Sequence, residues 1–212
     1  MKPLEPQDPH HLKAAEGWIE LGNPEEANEE LDQLSAEYRA HPAILEVRWQ
    51  IYEKAKKWDA ASDIASALVQ MVPEHPSGWV HRSYCLHELK RTAEARDNLL
   101  RVVERFPEDP IMRYNLACYE CQLGRLEQAK NWLEKAFKLG DARKIKLMAL
   151  EDLDSEPLWR EIRQLQKKSG PVVKPSRPQP KHGPNQNQKD TKTLPPQHLR
   201  RLSDQYGCAS GV

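Results

Sequence analysis

The chain has 212 residues, of which 38% are hydrophobic, with 32 basic and 32 acidic side chains and 17 prolines. So polar a composition cannot fill one large core, and zero net charge excludes a uniformly basic surface of the kind that binds nucleic acid along its whole length. No apolar run reaches the ~20 residues needed to cross a bilayer, so no membrane insertion is expected.

Residues 1–7 contain no apolar stretch of the secretory type and are expected to form a flexible N-terminus. A cytoplasmic location and reduced thiols follow as expectations. From there to residue 140 one pattern recurs. Ala27, Ala61, Ala95 and Ala129 are spaced by 34 residues. Four residues after each stand Leu31, Ala65, Leu99 and Leu133, and three further on Leu34, Leu68, Val102 and Ala136. Offsets of i, i+4 and i+7 share one helix face, and the alanine lets a neighbouring helix approach closely. Pro42, Pro76 and Pro110 keep the same beat, accompanied by Pro73 and Pro107. Lacking an N–H to donate, these prolines are expected to end the helix.

Ahead of each alanine stripe lies a second amphipathic helix. Its apolar positions are Leu12, Ala15, Trp18 and Leu21, then Leu45, Trp49 and Tyr52, then Trp79, Leu86 and Leu89, then Leu116, Ala117 and Leu123. The turns between paired helices are clearest at Gly22-Asn23-Pro24 and Gly124-Arg125, where glycine supplies a left-handed cap. Each unit is a helix hairpin that cannot bury its apolar face alone, so stacked neighbours must share a core. The units run at about 8–42, 43–76, 77–110 and 111–140. Trp18, Trp49, Trp79 and Trp132 fall on the stripes, and Trp58 and Trp159 at a turn and in the closing segment, as packing residues.

These residues resemble the tetratricopeptide repeat, whose pattern is W-x2-L-G-x2-Y, then A-x3-F, then P. The third unit matches at Trp79, Ala95, Leu99 and Pro107, the fourth at Leu116, Ala117, Gly124, Ala129, Leu133 and Ala136, and the second at Leu45, Tyr52, Ala61 and Pro73. Arg48-Trp49 and Arg82-Ser83 depart from the usual Leu-Gly pair, and the first unit runs three residues long before its proline. The resemblance implies an all-α fold, a right-handed α-solenoid of about four hairpins. Tyr114–Gly124, Trp132–Ala136 and Leu150–Trp159 are similar to the closing unit of bacterial tetratricopeptide proteins. That implies capping helices over 141–166, with Ile145, Met148, Leu150, Leu158, Trp159 and Ile162 on their apolar side.

Residues 167–212 are of another kind. They carry nine basic and two acidic side chains, seven of the 17 prolines, a Gln/Asn run at 185–188 and one aromatic residue, Tyr206. Such a segment cannot offset its ordering entropy by burial and is expected to be disordered. The neutral total therefore combines +7 here with −7 over residues 1–166.

No glycine-rich phosphate loop, Gly-x-Ser-x-Gly elbow or His-Glu-x-x-His motif occurs, so neither catalysis nor a cofactor is expected. Cys118-x-x-Cys121 shares a helix face, and His87 occupies the position of Cys121 one unit earlier. A tetrahedral zinc site needs a fourth ligand that only His81 or Cys85 could give, and a redox pair needs a βαβ setting. No metal site is expected, and these thiols read as core or groove-lining residues.

The resemblance implies binding instead, in a concave groove lined by the first helix of each hairpin. Carried over residue by residue, the groove positions are Lys13 and Glu16, Val47 and Gln50, His81, Tyr84 and His87, then Tyr114, Asn115, Cys118 and Gln122. The expected partner is a protein, offering an extended peptide or a helix, to a monomeric scaffold. The two-carboxylate clamp of some family members is not present, since Glu16 and Glu46 stand where cations or amides belong and only Asn115 fits. The alternative is that the basic residues of 167–212 bind nucleic acid or an anionic surface, or fold back on the acidic body.

Overall fold

Helix follows helix from Asp8 to Lys168 in the computed structural model, which describes residues 8–35 and 38–168. The described residues form α1 (Asp8–Glu20), α2 (Pro24–Asp32), α3 (Pro42–Lys54), α4 (Trp58–Met71), α5 (Pro76–Glu88), α6 (Thr92–Leu100), α7 (Pro110–Gln122), α8 (Leu126–Leu139), α9 (Ala142–Glu151) and α10 (Trp159–Lys168). Short 3-10 segments at Val103–Arg105 and Leu153–Leu158 interrupt the series, and no strand occurs among the described residues. The result is an α-solenoid of paired helices closed by α9, the second 3-10 segment and α10. No helix among the described residues is long and apolar enough to cross a membrane. The expected flexible N-terminus lies outside the described residues, as does the basic tail apart from Lys167 and Lys168, which continue α10.

The repeat is visible in backbone detail. Gly22, Lys56, Lys90 and Gly124 all take positive φ, at 80°, 54°, 65° and 74°, one repeat length apart. Each is the left-handed residue that stops the first helix of a hairpin and turns the chain into the second. Two lysines therefore hold a conformation that glycine adopts without steric cost.

The prolines act differently from expectation. Pro42, Pro76 and Pro110 open α3, α5 and α7 at the first helical turn, where a missing N–H costs nothing. The residue before each is the N-cap. His41 accepts from the backbone N–H of Ala43, His75 from Ser77 and Asp109 from Met112. Only Pro73 and Pro107 lie beyond a helix end, as expected of all five.

Ala27, Ala61, Ala95 and Ala129 are each wholly buried, which confirms the close-approach face of the second helices. Gly78 extends the same logic: a Cβ there would sit 2.9 Å from the Val69 backbone nitrogen and 3.0 Å from the Leu68 Cβ, so α4 and α5 meet at a contact that only glycine permits. Leu34 and Val102 are buried although they fall just past the ends of α2 and α6. Leu21 departs from its expected stripe. It follows α1 and is 75% exposed. Trp79 is half-buried, with the Arg82 guanidinium 5.1 Å above its ring.

The apolar interior divides into two clusters. Ala15, Leu31, Ile44, Val47 and Ile51 form the smaller one among α1, α2 and α3. The larger runs from Trp49 to Ile162 through every later element. Helix α3 joins them, giving Val47 to one side and Trp49 to the other.

Candidate binding groove

The first helices of the hairpins, α1, α3, α5 and α7, form the layer on which the groove residues lie. On α1, Lys13 is exposed and Glu16 half-buried. Burial, reinforced by Glu20 and partly offset by Lys13, raises the Glu16 carboxyl above its ordinary range. Gln50 on α3 is also half-buried. Val47 is not a groove residue: at 1% exposure it packs in the smaller core, because the helix turns its β-branched side chain toward Leu31 and Ile44.

The centre of the groove is sealed by a polar latch. His81 is 2% exposed, stacks on Trp49 with ring centroids 3.6 Å apart, and sets Nε2 2.7 Å from Glu46 Oε2. The Ser77 hydroxyl donates to the other oxygen of the same carboxylate. Burial alone would raise the Glu46 carboxyl. The hydrogen bond and charge of His81, the Ser77 bond and the His75 charge outweigh it and hold the group below its ordinary range. This ties α3 to α5 and leaves His81 unavailable to a ligand. Tyr84 is buried beside it, edge-on to Trp49 and to Trp58 at 6.4 and 5.7 Å.

At the C-terminal end the expected groove residues do converge, on the chain itself. Between α9 and α10 the segment Asp152-Leu153-Asp154 crosses the inner face of α5 and α7. The Tyr114 hydroxyl donates to Asp152 Oδ2 at 2.6 Å, and the Cys118 thiol lies 3.6 Å from the same oxygen. His87 Nε2 is 2.9 Å from Asp154 Oδ2, while its Nδ1 is 3.0 Å from the Thr92 hydroxyl. Gln122 donates its amide to the Asp154 backbone carbonyl at 3.1 Å. Asn115 is 7% exposed, and its side-chain nitrogen finds no hydrogen-bond partner among the described residues. Between this segment, the strap, and α7 a cavity of about 20 Å³ persists, lined by Tyr84, Asn115, Tyr119 and Met148 beside the strap contacts. That is space for one water-sized group.

Burial, then the Asp152 charge, raises the Cys118 thiol well above its ordinary value, and burial first raises Tyr114 likewise. Burial pushes the Cys85 and Cys121 thiols up to about 12. A thiol held neutral is a poor nucleophile and a poor metal ligand. Among the described residues no group of three or more His, Cys, Asp or Glu side chains is placed to hold a metal ion.

Asp152 and Asp154 meet the groove residues although the sequence pattern did not single them out, and Glu46, noted only as unfit for a carboxylate clamp, binds His81. The signal for the first two was present. An Asp-x-Asp-Ser turn before Pro157 belongs to the closing unit, and Asp152 caps the following segment by accepting from the Asp154 N–H at 2.9 Å. What the pattern did not carry is where that turn comes to rest.

A tetratricopeptide repeat family profile matches residues 50–110 and 88–142. Among solved structures the chain is similar to MamA 41-end from Desulfovibrio magneticus RS-1, at 16% identity and a TM-score of 0.58, covering 79% of this chain and 99% of that one. It is similar to the MamA RS-1 ArsTM double mutant at 17% identity and a TM-score of 0.58, covering 78% and 97%. MamA MSR-1 is matched at 21% identity and a TM-score of 0.52, covering 63% and 76%. At these identities the likeness is one of fold. No curated protein matches the chain in sequence.

Proposed function

We propose that the chain, whose residues 50–142 match the tetratricopeptide repeat profile, is a non-catalytic scaffold holding a peptide or helix of a partner protein in its concave groove. One observation carries the reading: side chains of α5 and α7 already grip a piece of polypeptide, the turn Asp152–Asp154, through a hydroxyl, an imidazole and an amide. Asp152 is extended, at φ −95° and ψ 115°, and caps the 3-10 segment that begins at Leu153. A groove built to hold one such segment has its donors fixed in advance on packed helices, which lowers the ordering cost of binding. The open half of the groove, with Lys13, Glu16 and Gln50, is where a second polypeptide has access.

The exposed positions supply the test. Capture of a partner by the wild-type chain is expected to weaken on Lys13→Glu and on Gln50→Arg, while a substitution on the second-helix surface, Glu25→Arg, leaves it unchanged. Tyr84 and Tyr114 are unsuitable probes, because both are buried and their truncation would disturb the fold. Capture that survives both groove substitutions and falls steeply with salt would move the function to the basic residues of 167–212.

A further inference from the structure

We propose that the strap is a resident ligand, and that the pocket of His87, Tyr114, Asn115, Cys118 and Gln122 is a receptor site for an acidic Asp-x-Asp segment of a partner protein, which enters by displacing Asp152–Asp154. The inference rests on the scaffold reading and names the chemistry of the segment that the groove takes.

The donors define the ligand. Tyr114 and Cys118 from α7 converge on one carboxylate, and His87 from α5 meets a second carboxylate two residues further on. Asp152 caps the 3-10 segment Leu153–Leu158 by accepting from the Asp154 N–H, and this capped turn carries both carboxylates to the helices together, so a peptide that forms the same Asp-x-Asp turn presents them likewise. Gln122 reads the backbone carbonyl after them and no side chain. The residue between the two aspartates is not read either: Leu153 is 71% exposed.

The strap also fills the site incompletely. The Asn115 amide, nine-tenths buried on the floor of the pocket, has a side-chain nitrogen with nothing to donate to among the described residues. Such a donor retains its full desolvation cost until an acceptor arrives. The cavity beside it lies between the strap and α7, so a segment seated slightly deeper, or one with glutamate in place of aspartate, can supply the missing acceptor. The partner segment thus gains a contact that the resident one lacks. Because the strap is tethered, it competes at millimolar effective concentration, and an incoming segment must add further contacts, for which the open half of the groove lies adjacent.

The test uses the full-length chain and the peptide Glu-Asp-Leu-Asp-Ser-Glu-Pro, the sequence of residues 151–157. Peptide affinity is measured by calorimetry, and cover over the site by the alkylation rate of Cys118, resolved from the other cysteines by mass spectrometry. Removing the competitor with Asp152→Asn plus Asp154→Asn is expected to tighten peptide binding about tenfold or more. The same variant exposes Cys118 to alkylation, and the peptide restores its protection. A peptide with both aspartates changed to asparagine does not bind, and His87→Ala in the double-variant background abolishes binding. If the double variant fails to fold by circular dichroism, Asp154→Asn alone carries the measurement, since that side chain is 31% exposed, with a smaller gain expected.

Absence of peptide binding to the folded variant overturns the proposal, and so does binding that ignores His87. Dimerisation of the wild-type chain with Cys118 still covered would assign the site to a second copy's strap and also overturn it. The two readings fail separately. A chain that captures its partner through Lys13 and Gln50 yet ignores the peptide refutes only this inference. A chain that binds the peptide but captures no protein refutes the scaffold reading alone.

Discussion

Helices α1 and α7 occupy the same place in their hairpins and have opposite surroundings. Every residue of α7 from Ile111 to Cys121 is buried, including Arg113, Asn115 and Glu120. Among the described side chains of α1 only Ala15 is buried, and Lys13 and Glu20 are exposed. The cause is position in the stack. A first helix in the body has neighbours before and after it, and α7 has the strap across its inner face as well. Among the described residues, helix α1 has neighbours on one side only. A repeat therefore specifies a helix and its core-facing stripe, but how much of the remaining surface stays open depends on what the chain puts next to it.

The largest expected effect tests that contrast directly. Leu116→Ala at the centre of α7 is expected to cost about 2–5 kcal/mol, the range for deleting a fully buried leucine side chain. Leu12→Ala on half-buried α1 should cost less than half of that. Urea midpoints of the two variants read the difference, and equal losses would erase it.

The latch between α3 and α5 comes next in size. Glu46→Gln keeps the shape but removes the charge facing His81, for an expected cost of about 1–3 kcal/mol at neutral pH. The Glu46 carboxyl is held below its ordinary value of 4.5, so its contribution is present above that value and is lost as pH falls through the folded value. Wild type and variant should therefore differ in urea midpoint at pH 7 and converge as the pH falls through the folded value. A gap that persists in acid would mean that shape, and not charge, accounts for the latch.

The smallest effect sharpens the comparison among repeats. Lys56 and Lys90 hold the left-handed position that Gly22 and Gly124 hold in the outer units. Replacing either lysine by glycine should raise stability by about 0.5–1 kcal/mol, the steric relief exceeding the added entropy of the unfolded chain. Gly124→Ala should act in the opposite direction. Thermal melts of the three variants check the signs.

The hairpins themselves were legible because they follow from local chemistry. The four alanines, the glycine turns at 22 and 124 and the apolar side of α9 and α10 each depend on residues within a turn or two. The prolines at 42, 76 and 110 were misplaced in role for a reason equally local. A proline just past one helix and just inside the next has the same sequence signature. The histidine caps at 41 and 75 settle it, but His is an uncommon N-cap and gave no signal by itself. His81 was placed on the groove because family positions do not say whether an aromatic such as Trp49 stacks over a residue, and Val47 because they do not say which core a β-branched side chain on α3 joins.

What the sequence determined by itself is the period, the helix pairs and the close-packed alanine face, since these rest on spacings of three, four and 34 residues that a chain of this composition can satisfy in one way. The tertiary structure alone decided the state of the groove. Tyr114 and Asp152 are 38 residues apart, and His87 and Asp154 are 67 apart. Contacts at such separations belong to no helical period. They exist because α8 and α9 return the chain to the inner face, and there two aspartates, unremarkable as part of a turn, meet the hydroxyl and the imidazole that would otherwise face solvent.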